Sequence, residues 1–179
     1  MVVSSSDQVY ISDSHRIRKI DRNGVISTIA GTLQCGYDGD GQLAVNALLN
    51  SPCGLFVTDD EEVLFVESYN NRVRKIDRFG IMSTIAGNGT RGFDGDGQLA
   101  TSACLSFPTS VFQYKNEIYI ADLGNNRVRK IDRNGIISTV AGSGNRGYNG
   151  DGIYATEANM YPQCVFVHND CIYISEESF

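Results

Sequence analysis

The chain has 179 residues, 41% of them hydrophobic and 20% charged, a globular composition that excludes a disordered tail. No run approaches the roughly 18 apolar residues that cross a bilayer as a helix. A net charge of −6 disfavours general affinity for nucleic acid or an anionic membrane. The 19 glycines, three prolines and absent tryptophan suit short strands joined by many turns.

The opening, Met1-Val-Val-Ser-Ser-Ser-Asp, reads as part of a strand and has no basic or long apolar stretch of a secretory signal. Arg16-Ile-Arg-Lys-Ile-Asp-Arg-Asn-Gly follows, and returns from Arg72 and from Arg127, at offsets of 56 and 55. Gly36-Tyr-Asp-Gly-Asp-Gly returns as Gly92-Phe-Asp-Gly-Asp-Gly and Gly147-Tyr-Asn-Gly-Asp-Gly. Pro52, Pro108 and Pro162 keep the same step. The chain is therefore a tandem repeat of about 55 residues, with units at about 1–51, 52–107, 108–161 and an incomplete 162–179.

In the second unit the apolar runs are Leu55–Thr58, Val63–Glu67, Arg72–Asp77 and Ile81–Ala86, rich in β-formers and separated by turn residues. Each unit reads as a four-stranded antiparallel meander. Asn23-Gly24 and Asn134-Gly135 suit a type I′ hairpin, and Phe79-Gly80 keeps only the glycine. Val73 and Ile76 lie three apart, which fits a sheet covered on both faces, as in a propeller blade, or a local bulge. Ile17, Ile20, Val73, Ile76, Val128 and Ile131 are the expected buried positions. Short helical turns are expected near Leu43–Leu49, Leu99–Leu105 and Tyr154–Met160.

Pro52-x-Gly-Leu-Phe-Val-x-Asp59, Ile118-Tyr-Ile-Ala-Asp122 and Asn125-Asn-Arg-Val-Arg-Lys-Ile-Asp132 resemble the NHL repeat family of β-propellers. The Gly-Asp-Gly insertion is similar to the longer subtype of teneurins and bacterial NHL repeat proteins. The chain departs from the pattern at Ser14-His15, and at Ser110 and Cys164, which replace the glycine found at Gly54. The resemblance implies an all-β fold of about three and a half NHL-type blades, part or half of a six-bladed ring. A ring left open would drive self-association between copies.

Lettering the strands A to D outward from the axis, the B–C turns and D–A connections share one face. That face collects Asp13, Glu67, Asp122 and Glu176 with Arg16, Arg72 and Arg127, each acid expected to cap its turn and pair with its own arginine. Arg16, Asn71, Arg72, Asp122, Asn126 and Arg127 are the candidate partner-binding residues.

Asp38, Asp40, Asp94, Asp96 and Asp151 resemble half of a calcium loop, but the twelfth position from Asp38 is Leu49 instead of glutamate. No metal or cofactor is expected. The second Asp of each pair is instead expected to cap a helix such as Gln98–Cys104, with Leu99 and Ala103 inward.

Of 15 basic residues, 12 lie in the Arg-x-Arg-Lys-x-x-Arg stretches. NHL propellers of the TRIM type bind RNA through a basic face, but here the charges divide between two strand faces and RNA binding is not expected. Related propellers also include an amidating lyase and lactonases, whose sites use histidines and acids. This chain has only His15 and His168. The expected function is a non-catalytic protein-interaction or scaffold module acting through the loop-rich face. A lyase or lactonase, or an RNA-binding propeller, is the competing expectation. The five cysteines, odd in number and without a CxxC pair, are expected as small half-buried core residues in a reducing compartment. Localisation is otherwise open, and no membrane contact is expected.

Overall fold

The computed structural model describes residues 1–176. Residues 177–179, the end of the last expected strand run, lie outside the described residues. Blade 1 comprises β1 (Val2–Val3), β2 (Val9–Asp13), β3 (Arg16–Ile20) and β4 (Ile26–Ala30). Blade 2 comprises β5 (Pro52–Val57), β6 (Val63–Glu67), β7 (Arg72–Ile76) and β8 (Met82–Ala86). Blade 3 comprises β9 (Pro108–Tyr114), β10 (Glu117–Asp122), β11 (Arg127–Ile131) and β12 (Ile137–Ala141). A two-stranded sheet, β13 (Pro162–His168) and β14 (Cys171–Glu176), follows. Each four-stranded sheet is an antiparallel meander in chain order.

The apolar spacing finds its explanation in the packing. Val73 enters a core shared by blades 2 and 3, with Leu64, Val111 and Ile120. Ile76, on the other side of the same sheet, enters a core shared by blades 1 and 2, with Tyr10, Ile17 and Phe65. Sheets covered on both faces bury both residues. Strand D of each blade also carries a bulge, where Val73 pairs Ala86 and Arg74 pairs Thr84.

Five of the six expected core positions are buried, and Ile20 is only half-buried. Its counterparts Ile76 and Ile131 point back at the preceding blade, and blade 1 has none before it among the described residues. Ile17→Ala, Val73→Ala and Val128→Ala should each cost about 2–4 kcal/mol and Ile20→Ala clearly less, measured by urea denaturation. Equal losses at Ile20 and Ile17 would contradict this packing.

Two local expectations are corrected. The C–D turns are not type I′. Gly24 donates to the Asp21 carbonyl at 2.9 Å, and Gly24, Gly80 and Gly135 are left-handed while Asn23 and Asn134 are not. A type I turn closed by a left-handed glycine needs glycine only at its last position, so Phe79 fits where the other units have asparagine. The helix expected over Gln98–Cys104 is a 3-10 turn, Ala100–Ser102, with no side-chain cap. Its buried residues are Ala100 and Ala103, whereas Leu99 is exposed.

Leu99 is exposed because the D–A connection runs as an extended strip along the next blade. Gly41 donates to Met82 at 2.8 Å, Met82 returns a bond to Gln42 at 3.0 Å, and Gly97, Ile137 and Gln98 repeat the pattern. In blades 2 and 3 the strip pairs with the start of the outer edge of strand D, which otherwise offers unpaired backbone to other chains. The cysteines also differ from expectation. All five are free thiols, Cys53 and Cys104 are at least half-buried, and Cys35, Cys164 and Cys171 are exposed.

Candidate functional site

The B–C turns and D–A connections meet on one face. Ser68–Asn70 and Leu123–Asn125 form 3-10 turns closed by left-handed Asn71 and Asn126. Asparagine tolerates that conformation because its short amide bonds locally. Asn71 Oδ1 accepts from Phe107 N at 3.0 Å, and Asn126 Nδ2 donates to the Gly144 carbonyl at 3.0 Å.

The expected acid–arginine pairing holds only in blade 1, where Arg16 Nη2 lies 2.6 Å from Asp13. In blade 2, Glu67 pairs with Arg74, not Arg72, at 2.7 Å, both side chains fully buried. In blade 3, Asp122 pairs with Arg129, not Arg127, at 3.4 Å. Aspartate is one methylene shorter than glutamate, which accounts for the longer reach. Both acids also accept neighbouring N–H groups, Asn50 N and Asn70 Nδ2 on Glu67 and Ser106 N and Asn125 Nδ2 on Asp122.

Arg72 and Arg127 have a different role. Each sits over an aromatic ring of the D–A connection, Arg72 Cζ 3.6 Å from the centre of Tyr37 and Arg127 Cζ 3.8 Å from that of Phe93. Their guanidinium groups donate to the Asn88 and Ser143 carbonyls, both at 2.8 Å. The sequence signal for these stacks is the aromatic residue before each Asp/Asn-Gly-Asp-Gly.

The acids of the Gly-Asp-Gly blocks are engaged internally. Asp40 and Asp96 accept from the buried Arg74 and Arg129 at 2.8 and 2.6 Å. Asp38 and Asp94 accept from Leu48 N and Cys104 N at 2.6 and 2.7 Å, and Asn149 accepts from Asn159 N at 2.7 Å. A neutral amide does the same work as the two aspartates, so the position calls for an acceptor and not a charge. Asp151, in the third connection, is exposed.

Burial pushes the Asp122 carboxyl up to about 6, against the pull of Ser106, Asn125 and Arg129. Glu67 is raised for the same leading reason. A raised carboxyl keeps its proton in the folded chain at a pH where the unfolded chain has lost it. Its contribution to stability is therefore full below about pH 4 and falls as pH rises towards 6. Between pH 4 and 7 this should amount to on the order of 1–3 kcal/mol. Glu117 and Asp132, whose carboxyls are lowered, act in the opposite sense. The check is therefore a difference: Asp122→Asn should remove a falling component from the stability–pH profile, and an unchanged profile would contradict the assignment.

The chain is 33% identical over 139 residues to SUPPRESSOR OF QUENCHING 1 of Arabidopsis thaliana, covering 71% of this chain and 13% of that protein. It is 32% identical over 159 residues to teneurin-1 of Gallus gallus, covering 76% of this chain and 6% of that protein. Among solved structures, virginiamycin B lyase from Staphylococcus aureus superposes with a TM-score of 0.60 at 18% identity, over 98% of this chain and 47% of that one. With the repeat geometry above, the two curated relatives decide the family. The chain is an NHL-type β-propeller. No family model matches it. This propeller chain spans a small part of its curated relatives and under half of the lyase chain, and at 18% identity the lyase likeness concerns the fold alone.

Proposed function

We propose that this propeller chain is a non-catalytic interaction module that takes a protein partner on its loop-rich face. The observation that carries the reading is a contrast within that face. Its arginines and acids are largely engaged with one another or with backbone, while Tyr69 and Tyr148 stand 63% and 73% exposed. Exposed tyrosines bury large area at low entropic cost and are enriched at protein interfaces. Pull-down with the chain as bait should recover a partner that Tyr69→Ala/Tyr148→Ala loses. Retention by the double variant would reject this face.

The histidines favour the same reading over a lyase or lactonase. His15 Nδ1 accepts from Ser51 N at 3.3 Å, and His168 lies beside the Phe166 ring. Turnover of esters or lactones with added calcium or zinc would reverse the ranking. RNA binding is disfavoured because Arg74 and Arg129 are fully buried and Lys75 and Lys130 are paired to Glu62 and Glu117.

Self-association belongs to the proposal. Among the described residues Arg18 has Asp13 only at 3.8 Å and no loop acid corresponding to Asp40 or Asp96, while Asp151 lies exposed in the third connection. A second copy could bring Asp151 to Arg18, its β13–β14 hairpin replacing β1–β2. Light scattering showing a stable 19.6 kDa monomer at micromolar concentration would reject it.

A further inference from the structure

At the end of the blades that carries the C–D turns lies a cleft of about 470 Å³ between blades 1 and 2, walled in part by Val45 of the first D–A connection. That volume lies within the range of small-molecule sites. Ile29, Val45, Val63 and Ile76 give it apolar walls, and its cations are Lys19 from blade 1 and Arg78 from blade 2, the latter over the Phe79 ring at 4.8 Å.

Lys19 is the exception among three equivalent lysines. Lys75 is neutralised within its own blade by Glu62 at 2.9 Å, and Lys130 by Glu117 at 2.9 Å. The register that pairs Leu64 with Lys75 also pairs Tyr10 with Lys19, so the place of Glu62 falls to Gln8. The Gln8 amide instead donates to Ser6 Oγ at 3.1 Å and Glu61 at 3.4 Å. Lys19 is left over the Tyr10 ring at 5.5 Å, with no ion-pair partner among the described residues. One substitution in the repeat thus places an uncompensated ammonium beside an apolar cleft.

We propose that this cleft binds an amphipathic monocarboxylate, its apolar body on the Ile29, Val45, Val63 and Ile76 wall and its carboxylate on Lys19 Nζ. The acids around the cleft set the class. Asp77 accepts from Phe79 N and Ile81 N, Glu61 accepts from Ser6 and Gln8, and Asp60 is exposed to solvent. These three acids outnumber Lys19 and Arg78, so the rim opposes a dianionic head and leaves Lys19 to match a single negative charge.

The test is calorimetric titration of the whole chain with octanoate, octylamine and octyl phosphate. Octanoate should bind, with octyl phosphate weaker and octylamine weaker still. Gln8→Glu gives Lys19 the partner found in the other blades and should weaken octanoate at least tenfold without lowering the melting temperature. Lys75→Gln should leave binding unchanged. If Gln8→Glu does not fold, Lys19→Gln must show the same loss. No octanoate binding at millimolar concentration, octylamine binding as tightly, or undiminished affinity in the folded Gln8 or Lys19 variant would each overturn the proposal.

Discussion

Arg129→Met should destabilise the chain by about 3–5 kcal/mol at pH 7, the usual loss when one partner of a buried ion pair is removed. Arg129 is fully buried and joins Asp122 of its own blade to Asp96 and the Asp94 carbonyl of the preceding D–A connection. Methionine fills much of the volume but leaves the Asp122 carboxylate buried without its counter-charge and releases the connection from the blade. Arg74→Met should behave alike through Glu67, Asp40 and the Asp38 carbonyl.

Two comparisons separate charge from packing. Arg129→Met/Asp122→Leu removes both charges and should recover a large part of the loss, because an apolar pair avoids burying an unpaired carboxylate. Arg18→Met should cost less than about 1 kcal/mol, since its acid is 41% exposed and 3.8 Å away. Equilibrium urea denaturation measures all three. A loss below 1 kcal/mol for Arg129→Met would show that the buried pair contributes little.

The blade itself was legible because its determinants are periodic and local. Strand-forming runs, the glycine of the C–D turn and the three repeated blocks recur at one step, so every unit checks the others. The residue pairings were less legible because they depend on how blades stack. Nothing in Arg-x-Arg-Lys tells which arginine turns inward. The structure places Arg74 under the D–A connection with Glu67 and lays Arg72 over Tyr37, and both choices require the neighbouring connection to be in position.

Gln8 illustrates the same limit from the other side. As a single polar residue it carries no signal. Its meaning comes from occupying the place of Glu62 and Glu117, which only the strand register makes plain. The helix expected over Gln98–Cys104 shrinks to a 3-10 turn for a related reason: small residues at helical spacing also fit an extended strip bonded to a neighbouring blade. Here the backbone bonds to Met82 and Ile137 win over local helix propensity.

Gly87→Ala should cost about 3 kcal/mol or more, far above the usual effect of alanine on a surface connection. Gly87 has a φ of +85°, and an added Cβ would sit well inside contact distance of the Asn71 carbonyl oxygen. That oxygen belongs to the left-handed cap of the B–C turn, whose side chain holds Phe107 N, so it cannot retreat without loosening the start of β9. Gly87 N is also bound to the Ala100 carbonyl at 2.9 Å, which fixes the approach from the other side. Gly31 and Gly142 meet the carbonyls of His15 and Asn126 in the same way, so the crossing recurs in every blade. Gly80→Ala provides the control. Its φ is +79°, but the nearest atom to an added Cβ is the Leu43 side chain at 3.9 Å, so only the left-handed conformation is penalised, by about 1–2 kcal/mol. Thermal and urea unfolding of the two variants should therefore separate strain from steric conflict. Equal losses would mean that the close crossing of the D–A connection over the B–C turn does not hold the blade together.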